Sequence, residues 1–148
     1  MERTELPVAV FDSGLGGISV LRALVRRMPG EDFLYFGDSA NAPYGVRPAA
    51  EVRELTQSVI ARLYARGIKA AVIACNTASA FALDAVKDEL DIPVLGVIEA
   101  GAKVAAKETR NKRVGVIGTL GTVGSGIHEA YLKQLDPEIT VIGKACPL

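Results

Sequence analysis

Short apolar runs rich in Val, Ile and Phe alternate with longer amphipathic stretches along this 148-residue chain, and that alternation constrains the fold more than any other feature. Pro7 to Phe11 reads as a strand. Ile18 to Met28 follows, with Ile18, Leu21, Leu24, Val25 and Met28 at helical spacing. Phe33 to Phe36 predicts a second strand. Ala49 to Arg66 predicts a helix with Val52, Leu55, Val59, Ile60 and Leu63 on its apolar face and Gly67 closing it. Ala70 to Ala74 is a third strand, followed by a helix from about Ala78 to Leu90. Pro93 to Ile98, Val114 to Ile117 and Ile139 to Ile142 give three more strands. Strict β-α alternation predicts an α/β fold, a parallel sheet with helices on both faces. Such sheets bind ligands beyond the carboxyl ends of their strands, so the loops after the strands are where chemistry is expected.

Charge narrows the range of partners. Lys+Arg and Asp+Glu both number 17, so the formal net charge is zero. A neutral chain gives no electrostatic reason to expect nucleic acid or an anionic membrane as partner. The longest apolar runs, such as Ala70 to Cys75, are far too short to span a bilayer. Met1-Glu2-Arg3-Thr4-Glu5 carries acids and lacks the apolar stretch of a signal peptide. One His and two distant cysteines, Cys75 and Cys146, make no zinc-binding pattern, so no metal is expected. The expected compartment is the cytoplasm, where thiols stay reduced.

The chain also echoes itself. Val8-Ala9-Val10-Phe11-Asp12-Ser13 lines up with Val114-Gly115-Val116-Ile117-Gly118-Thr119. The same offset carries Asp32-Phe33-Leu34-Tyr35-Phe36-Gly37 onto Glu138-Ile139-Thr140-Val141-Ile142-Gly143 without a gap. Any two βαβ units resemble each other to some degree. The alternative is two similar lobes facing each other across a cleft, residues 1–98 forming the first and 99–148 the beginning of a second, incomplete one. An incomplete lobe is expected to expose apolar surface and to favour self-association, a homo-oligomer included.

Three loops draw the chemistry. Asp12-Ser13-Gly14-Leu15-Gly16-Gly17 resembles a dinucleotide fingerprint but has Ser19 where the third glycine belongs, and Asp12 would face a pyrophosphate. The loop suits an amino acid better. Asp12 accepts from an ammonium, Ser13 donates or accepts, and the glycines let N–H groups approach a carboxylate. A helix cap by Ser13 or Asp12 with a tight glycine turn remains the alternative. Gly37 to Gly45 is a long loop stiffened by Pro43, in which Tyr44 offers a hydroxyl and Gly45 backbone donors; an ordinary surface loop is the other reading. Cys75-Asn76-Thr77-Ala78-Ser79 is the most informative segment. A cysteine leaving a buried strand for a helix N-terminus meets the positive end of the helix dipole, which favours thiolate, and Asn76 and Thr77 set polar groups beside it. Such a thiolate acts as a nucleophile or a general base. Cys146 also follows a strand, but Pro147 denies it a helix N–H, so a structural role is expected. His128 is expected mid-helix, facing solvent. Thr119 and Thr122 either touch a ligand or cap a helix.

Phe11-Asp12-Ser13-Gly14-Leu15-Gly16-Gly17, Gly37-Asp38 with Pro43-Tyr44-Gly45, Cys75-Asn76-Thr77-Ala78-Ser79, and Gly118-Thr119 with Thr122 occur together in this order. As a set they resemble glutamate racemases, of the aspartate/glutamate racemase superfamily, over the whole chain. The resemblance implies a cofactor-independent isomerase that interconverts L- and D-glutamate and supplies D-glutamate for peptidoglycan synthesis. By that resemblance Cys75 is one of two catalytic thiols. Asp12, Ser13, Tyr44, Gly45, Asn76 and Thr77 match substrate-contacting positions, with Thr119 and Thr122 added. The family's second thiol lies in a Gly-Cys-Thr-His segment that this sequence lacks, and the internal offset projects it beyond Leu148. The expectation is therefore a C-terminally truncated racemase, inactive alone. Two rivals remain: a thiol hydrolase with Cys75 as nucleophile, which needs a nearby base, and a non-catalytic amino-acid-binding fragment.

Overall fold

The computed structural model describes residues 3–146. The readings made on Met1 and Glu2, and on Pro147 and Leu148, lie outside those residues. A short 3-10 turn, Arg3–Glu5, leads into β1 (Val8–Asp12), α1 (Ile18–Arg27), β2 (Phe33–Gly37), α2 (Ala49–Ala65), β3 (Ala70–Ile73), α3 (Asn76–Glu89) and β4 (Val94–Gly96). α4 (Val97–Glu108), β5 (Arg113–Gly118), α5 (Leu120–Gly124), α6 (Ile127–Leu135) and β6 (Thr140–Ala145) complete it. The alternation expected from the sequence is present, and both sheets are parallel: a four-stranded sheet ordered β2-β1-β3-β4 and a two-stranded sheet β5-β6.

The first sheet is covered on both faces. Ala9, Phe11, Ala71 and Ile73 point toward α2 and α3, where they meet Val52, Val59, Ile60, Leu63, Ala78 and Ala82. Val8, Val10 and Val72 point the other way, onto Val20, Leu21 and Leu24 of α1. The alternation of Cβ direction along a strand makes this two-sided packing possible. β1 is buried at every position, as a central strand between helical layers requires. α2 buries nearly the face its spacing predicts, with Thr56 added and Leu55 only partly covered. Gly67 ends the helix with φ +85, a conformation that glycine adopts at no steric cost.

Two local expectations are corrected. The apolar stripe of α1 is not a buried face: Ile18, Val25 and Met28 are exposed, and only Val20, Leu21 and Leu24 lie over the sheet. Periodicity identifies a helix but not how much of its stripe a neighbour covers. The strand expected over Pro93 to Ile98 is cut to three residues, because Gly96 caps α4 and Val97 and Ile98 turn into the helix. There the Val97 N–H reaches Ser79 Oγ at 3.4 Å.

α4 crosses from the first sheet to the second. Val97 packs under the first, while Ala102, Ala105 and Ala106 meet Leu132, Ile139, Val114 and Val141 in a small separate core. β5 and β6 are covered on that side only. On the other, Ile117 is 78% and Ile142 52% exposed.

Candidate active site

The carboxyl ends of β1, β3 and β5 open onto one cleft of about 600 Å³. Asp12, Ser13, Tyr44, Gly45, Cys75, Asn76, Thr77, Thr119 and Thr122 all line it, so the fold brings together every site residue the sequence suggested. Residues from the elements around both sheets form its walls.

The β1 loop is built around Asp12. Its Oδ2 accepts from the Gly14 N–H at 3.0 Å, an Asx turn that folds the chain back over the strand end. The reading of Ser13 or Asp12 as a helix cap does not hold: α1 begins at Ile18, with Gly17 as its N-cap and no side-chain cap. Gly17 is required by packing, since a Cβ there would lie 2.6 Å from Asp12 Cβ and 3.0 Å from Ala74 Cβ. Tyr35 donates to the Gly14 carbonyl at 2.9 Å and pins the loop from β2. Its own pKa is raised, first by burial, then by the nearby Asp12 and Cys75.

The β3 end delivers the thiol. Ile73 is the last strand residue, and Cys75 takes extended backbone geometry as the N-cap of α3. Its Sγ accepts from the Ala78 N–H at 3.5 Å and donates to Ser13 Oγ at 3.4 Å. The thiol is 7% exposed and faces the β1 loop, so a buried structural cysteine and a catalytic one coincide in burial and differ in what they face. Ser79 fixes the helix start by donating to the Ile73 carbonyl at 2.9 Å.

The long β2 loop supplies Tyr44 and Gly45 in a manner the sequence did not foretell. The Tyr44 side chain is 1% exposed and donates to Asp38 Oδ2 at 2.7 Å, so the expected free hydroxyl is committed to a buried carboxylate. Burial, then that hydrogen bond, raises its pKa far above the ordinary tyrosine value. Asn41 Nδ2 donates to both Asp38 oxygens at 3.0 Å. Asp38 thus organises this loop; the sequence marked Gly37-Asp38 within the motif set but gave it no role. The Gly45 carbonyl accepts from the Gly121 N–H at 3.0 Å, tying the β2 loop to α5. A Cβ at Gly45 would lie 2.4 Å from Thr119 Cβ.

Thr119 resolves the ambiguity of its loop by doing two things. Its Oγ1 accepts from the Thr122 N–H at 3.2 Å and caps α5. It also stands 3.1 Å from Thr77 Oγ1, which lies 3.0 Å from Thr122 Oγ1, while Thr119 donates to Thr122 at 3.0 Å. Three hydroxyls, one from the start of α3 and two from the turn into α5, close a ring on the wall of the cleft.

Two residues end up elsewhere than expected. His128 is neither mid-helix nor turned to solvent. It is the second residue of α6, whose N-cap Gly126 has φ +68, and it lines the cleft. Its Nδ1 is buried without a hydrogen-bond partner, and burial lowers its pKa. Cys146 is exposed and is no packed structural thiol; its N–H pairs with the Gly118 carbonyl at 2.8 Å, extending the β5-β6 ladder. Cys75 is the only thiol among the described residues of the cleft, and no Lys or Arg is among them. No described helix is long and apolar enough to cross a membrane.

Residues 11–145 match the Asp/Glu/Hydantoin racemase family. The chain is 48% identical over 140 residues to a glutamate racemase of Oceanobacillus iheyensis, covering 95% of this chain and 51% of that protein. It is also 48% identical over 141 residues to the glutamate racemase of Geobacter metallireducens, covering 95% of this chain and 52% of that one. Among solved structures, a glutamate racemase from Bacillus anthracis superposes with a TM-score of 0.94 at 41% identity, over 97% of this chain and 54% of that chain. One from Francisella tularensis, in complex with D-glutamate, gives 0.91 at 36% identity, over 98% and 54%. The chain spans about half the length of the relatives it matches.

Proposed function

Because this chain belongs to the Asp/Glu/Hydantoin racemase family, we propose that its cleft takes up glutamate and that Cys75 exchanges the substrate's α-proton, without a cofactor. The observation that carries the reading is the setting of Cys75: a thiol on the first N–H groups of a 14-residue helix, 3.4 Å from Ser13 Oγ and across from Asp12. Asp12 is the carboxylate available to the substrate ammonium. Helix N–H groups, Asn76 and the threonine hydroxyls are the donors available to its carboxylates. The α-proton is only weakly acidic. Its removal therefore depends on fixed donors that stabilise the carbanion as it forms, in a site that limits water.

Inversion needs a second acid on the opposite face, and Cys75 is the cleft's only described thiol. The reading is thus one of single-face exchange: Cys75 removes the proton and returns one from solvent to the same face. D-Glutamate is the enantiomer expected to exchange. In the longer relatives' setting the same thiol would serve as one half of a two-thiol racemisation that supplies D-glutamate for cell-wall synthesis. The cytoplasm, where thiols stay reduced, is the compartment that fits this chemistry.

NMR of D- and L-glutamate in heavy water, with chiral chromatography, tests the reading. The expected result is loss of the α-proton signal of one enantiomer without inversion, abolished in Cys75→Ser and retained in Cys146→Ser. Sustained racemisation by this chain would overturn the one-thiol account. Failure of both enantiomers to bind would overturn the substrate. The thiol hydrolase reading gains one point, since His128 lines the same cleft. Yet the hydrogen bonds of Cys75 among the described residues run to Ser13 and the Ala78 N–H, not to the imidazole. A covalent adduct on Cys75 from an activated ester, seen by mass spectrometry, would revive it.

A further inference from the structure

A cleft meant for an anionic ligand usually presents a fixed cation, and here no described lining residue is Lys or Arg. The lining groups able to change charge are Asp12, Tyr44, Cys75 and His128. The first three can only be neutral or negative. His128 alone can become positive, and it stands on the second lobe, across the cleft from the β1 and β3 loops.

The placement of this imidazole is built rather than incidental. Ser125 donates through its hydroxyl to the Thr122 carbonyl at 2.7 Å and accepts from the Ile127 N–H at 3.3 Å, and Gly126 turns the chain through a left-handed conformation. α6 therefore restarts with His128 on the cleft wall. His128 also lines a small cavity of about 40 Å³, with Val116, Thr122, Val123, Gly126, Glu129, Val141 and Gly143. Nδ1 is buried and unpartnered on the described residues. A buried polar nitrogen without a partner costs stability; being buried, Nδ1 is not the atom a ligand in the cleft meets, so that contact falls to Nε2.

We propose that His128 contacts a carboxylate of the substrate from the second lobe and takes up a proton from solvent as it does so. This rests on the glutamate reading above and adds to it the group that reads the ligand's negative charge. In the free protein burial keeps the imidazole toward its neutral form. The charged groups on the surrounding elements are Glu129 and Lys133 on α6, Glu99, Lys103, Lys107 and Glu108 on α4, Arg113 on β5 and Lys144 on β6, with Asp12, Cys75 and Tyr44 also lining the cleft. Glu99 and Lys103 are paired with each other, 2.6 Å apart. A carboxylate brought against the ring would favour the imidazolium, so binding and protonation are linked. Affinity should then strengthen as the pH falls from 7 toward the titration of the free residue.

The test is calorimetric titration of glutamate into the full chain near pH 7, in two buffers of different ionisation enthalpy. The ring-proton signal of the single histidine is followed by NMR in parallel. The expected result is a buffer-dependent heat reporting proton uptake, with the ring signal moving toward its imidazolium position. His128→Asn should bind about tenfold more weakly, the loss of one charge-assisted contact, with a heat that no longer depends on buffer. His128→Gln serves if the first variant fails a thermal melt, and the wild-type ring signal decides if neither folds. Glutamate binding with an unmoved ring signal, or with proton uptake unchanged in the variant, would overturn this inference and leave the proposed function standing. Absence of any glutamate binding would overturn both.

Discussion

Phe11 and Ile117 occupy the same position in two copies of one local pattern, yet Phe11 is fully buried and Ile117 is 78% exposed. Both sit one residue before the end of the strand that opens a parallel βαβ unit. α1 covers one face of the first unit, and α5 and α6 cover the matching face of the second. The other face receives α2 and α3 in the first unit and, among the described residues, no element in the second. The burial patterns follow: every residue of β1 is buried, while β5 alternates between exposed and half-buried. A repeated βαβ sequence therefore specifies strands, crossover and pairing, but burial belongs to whatever packs on the second face.

Substitution at the matched pair gives the largest expected contrast. Phe11→Ala should cost about 3–5 kcal/mol, because it leaves a cavity against Tyr44 and the α2-α3 core. Ile117→Ala should change stability by no more than about 0.5 kcal/mol, as at other surface sites. Urea denaturation of the two variants measures both. Equal losses would mean that the open face of β5 is covered in solution, and a shift in sedimentation with concentration would show whether a second copy covers it.

A smaller effect is expected at the seam between the lobes. Gly45→Ala drives a methyl into Thr119, whose Cβ and Cγ2 would both lie 2.4 Å away. The β2 loop and α5 must then part, with loss of the Gly121 N–H bond to the Gly45 carbonyl. A cost of about 1–3 kcal/mol is expected, as for other overpacked sites. Hydrogen exchange at the Gly121 amide should rise in this variant more than exchange in β1. Unchanged exchange there would show that the lobes are not joined through this contact.

The smallest effect separates another matched pair. Arg22, at the place equivalent to His128, is exposed on α1, whereas His128 is turned inward by Gly126. Burial holds the folded His128 below its ordinary value of 6.5, so the unfolded chain takes the proton first. Stability from this residue is complete above pH 6.5 and is lost as the pH falls through the lowered folded value. The melting temperature of the wild type should therefore drop more steeply over that window than that of His128→Asn. Parallel curves would mean that the imidazole is solvated.

What the sequence determined by itself is the α/β class, the position of the strands and of the first three helices, and the loops that carry Asp12, Ser13, Cys75, Asn76 and Thr77. Those properties are written in short-range terms: apolar period, glycine punctuation, and a cysteine where a buried strand gives way to a helix. Tertiary structure decided the rest. Tyr44 reads as a free hydroxyl until Asp38 is found buried beside it. His128 reads as a surface residue until the left-handed turn at Gly126 redirects α6. Thr119 and Thr122 read as caps or contacts until Thr77 joins them in a ring across the lobes. The stripe of α1 reads as core until the sheet beneath it covers only its middle. Each of these depends on a partner distant in sequence or on the reach of a neighbouring surface, and neither is encoded in the local spacing of residues.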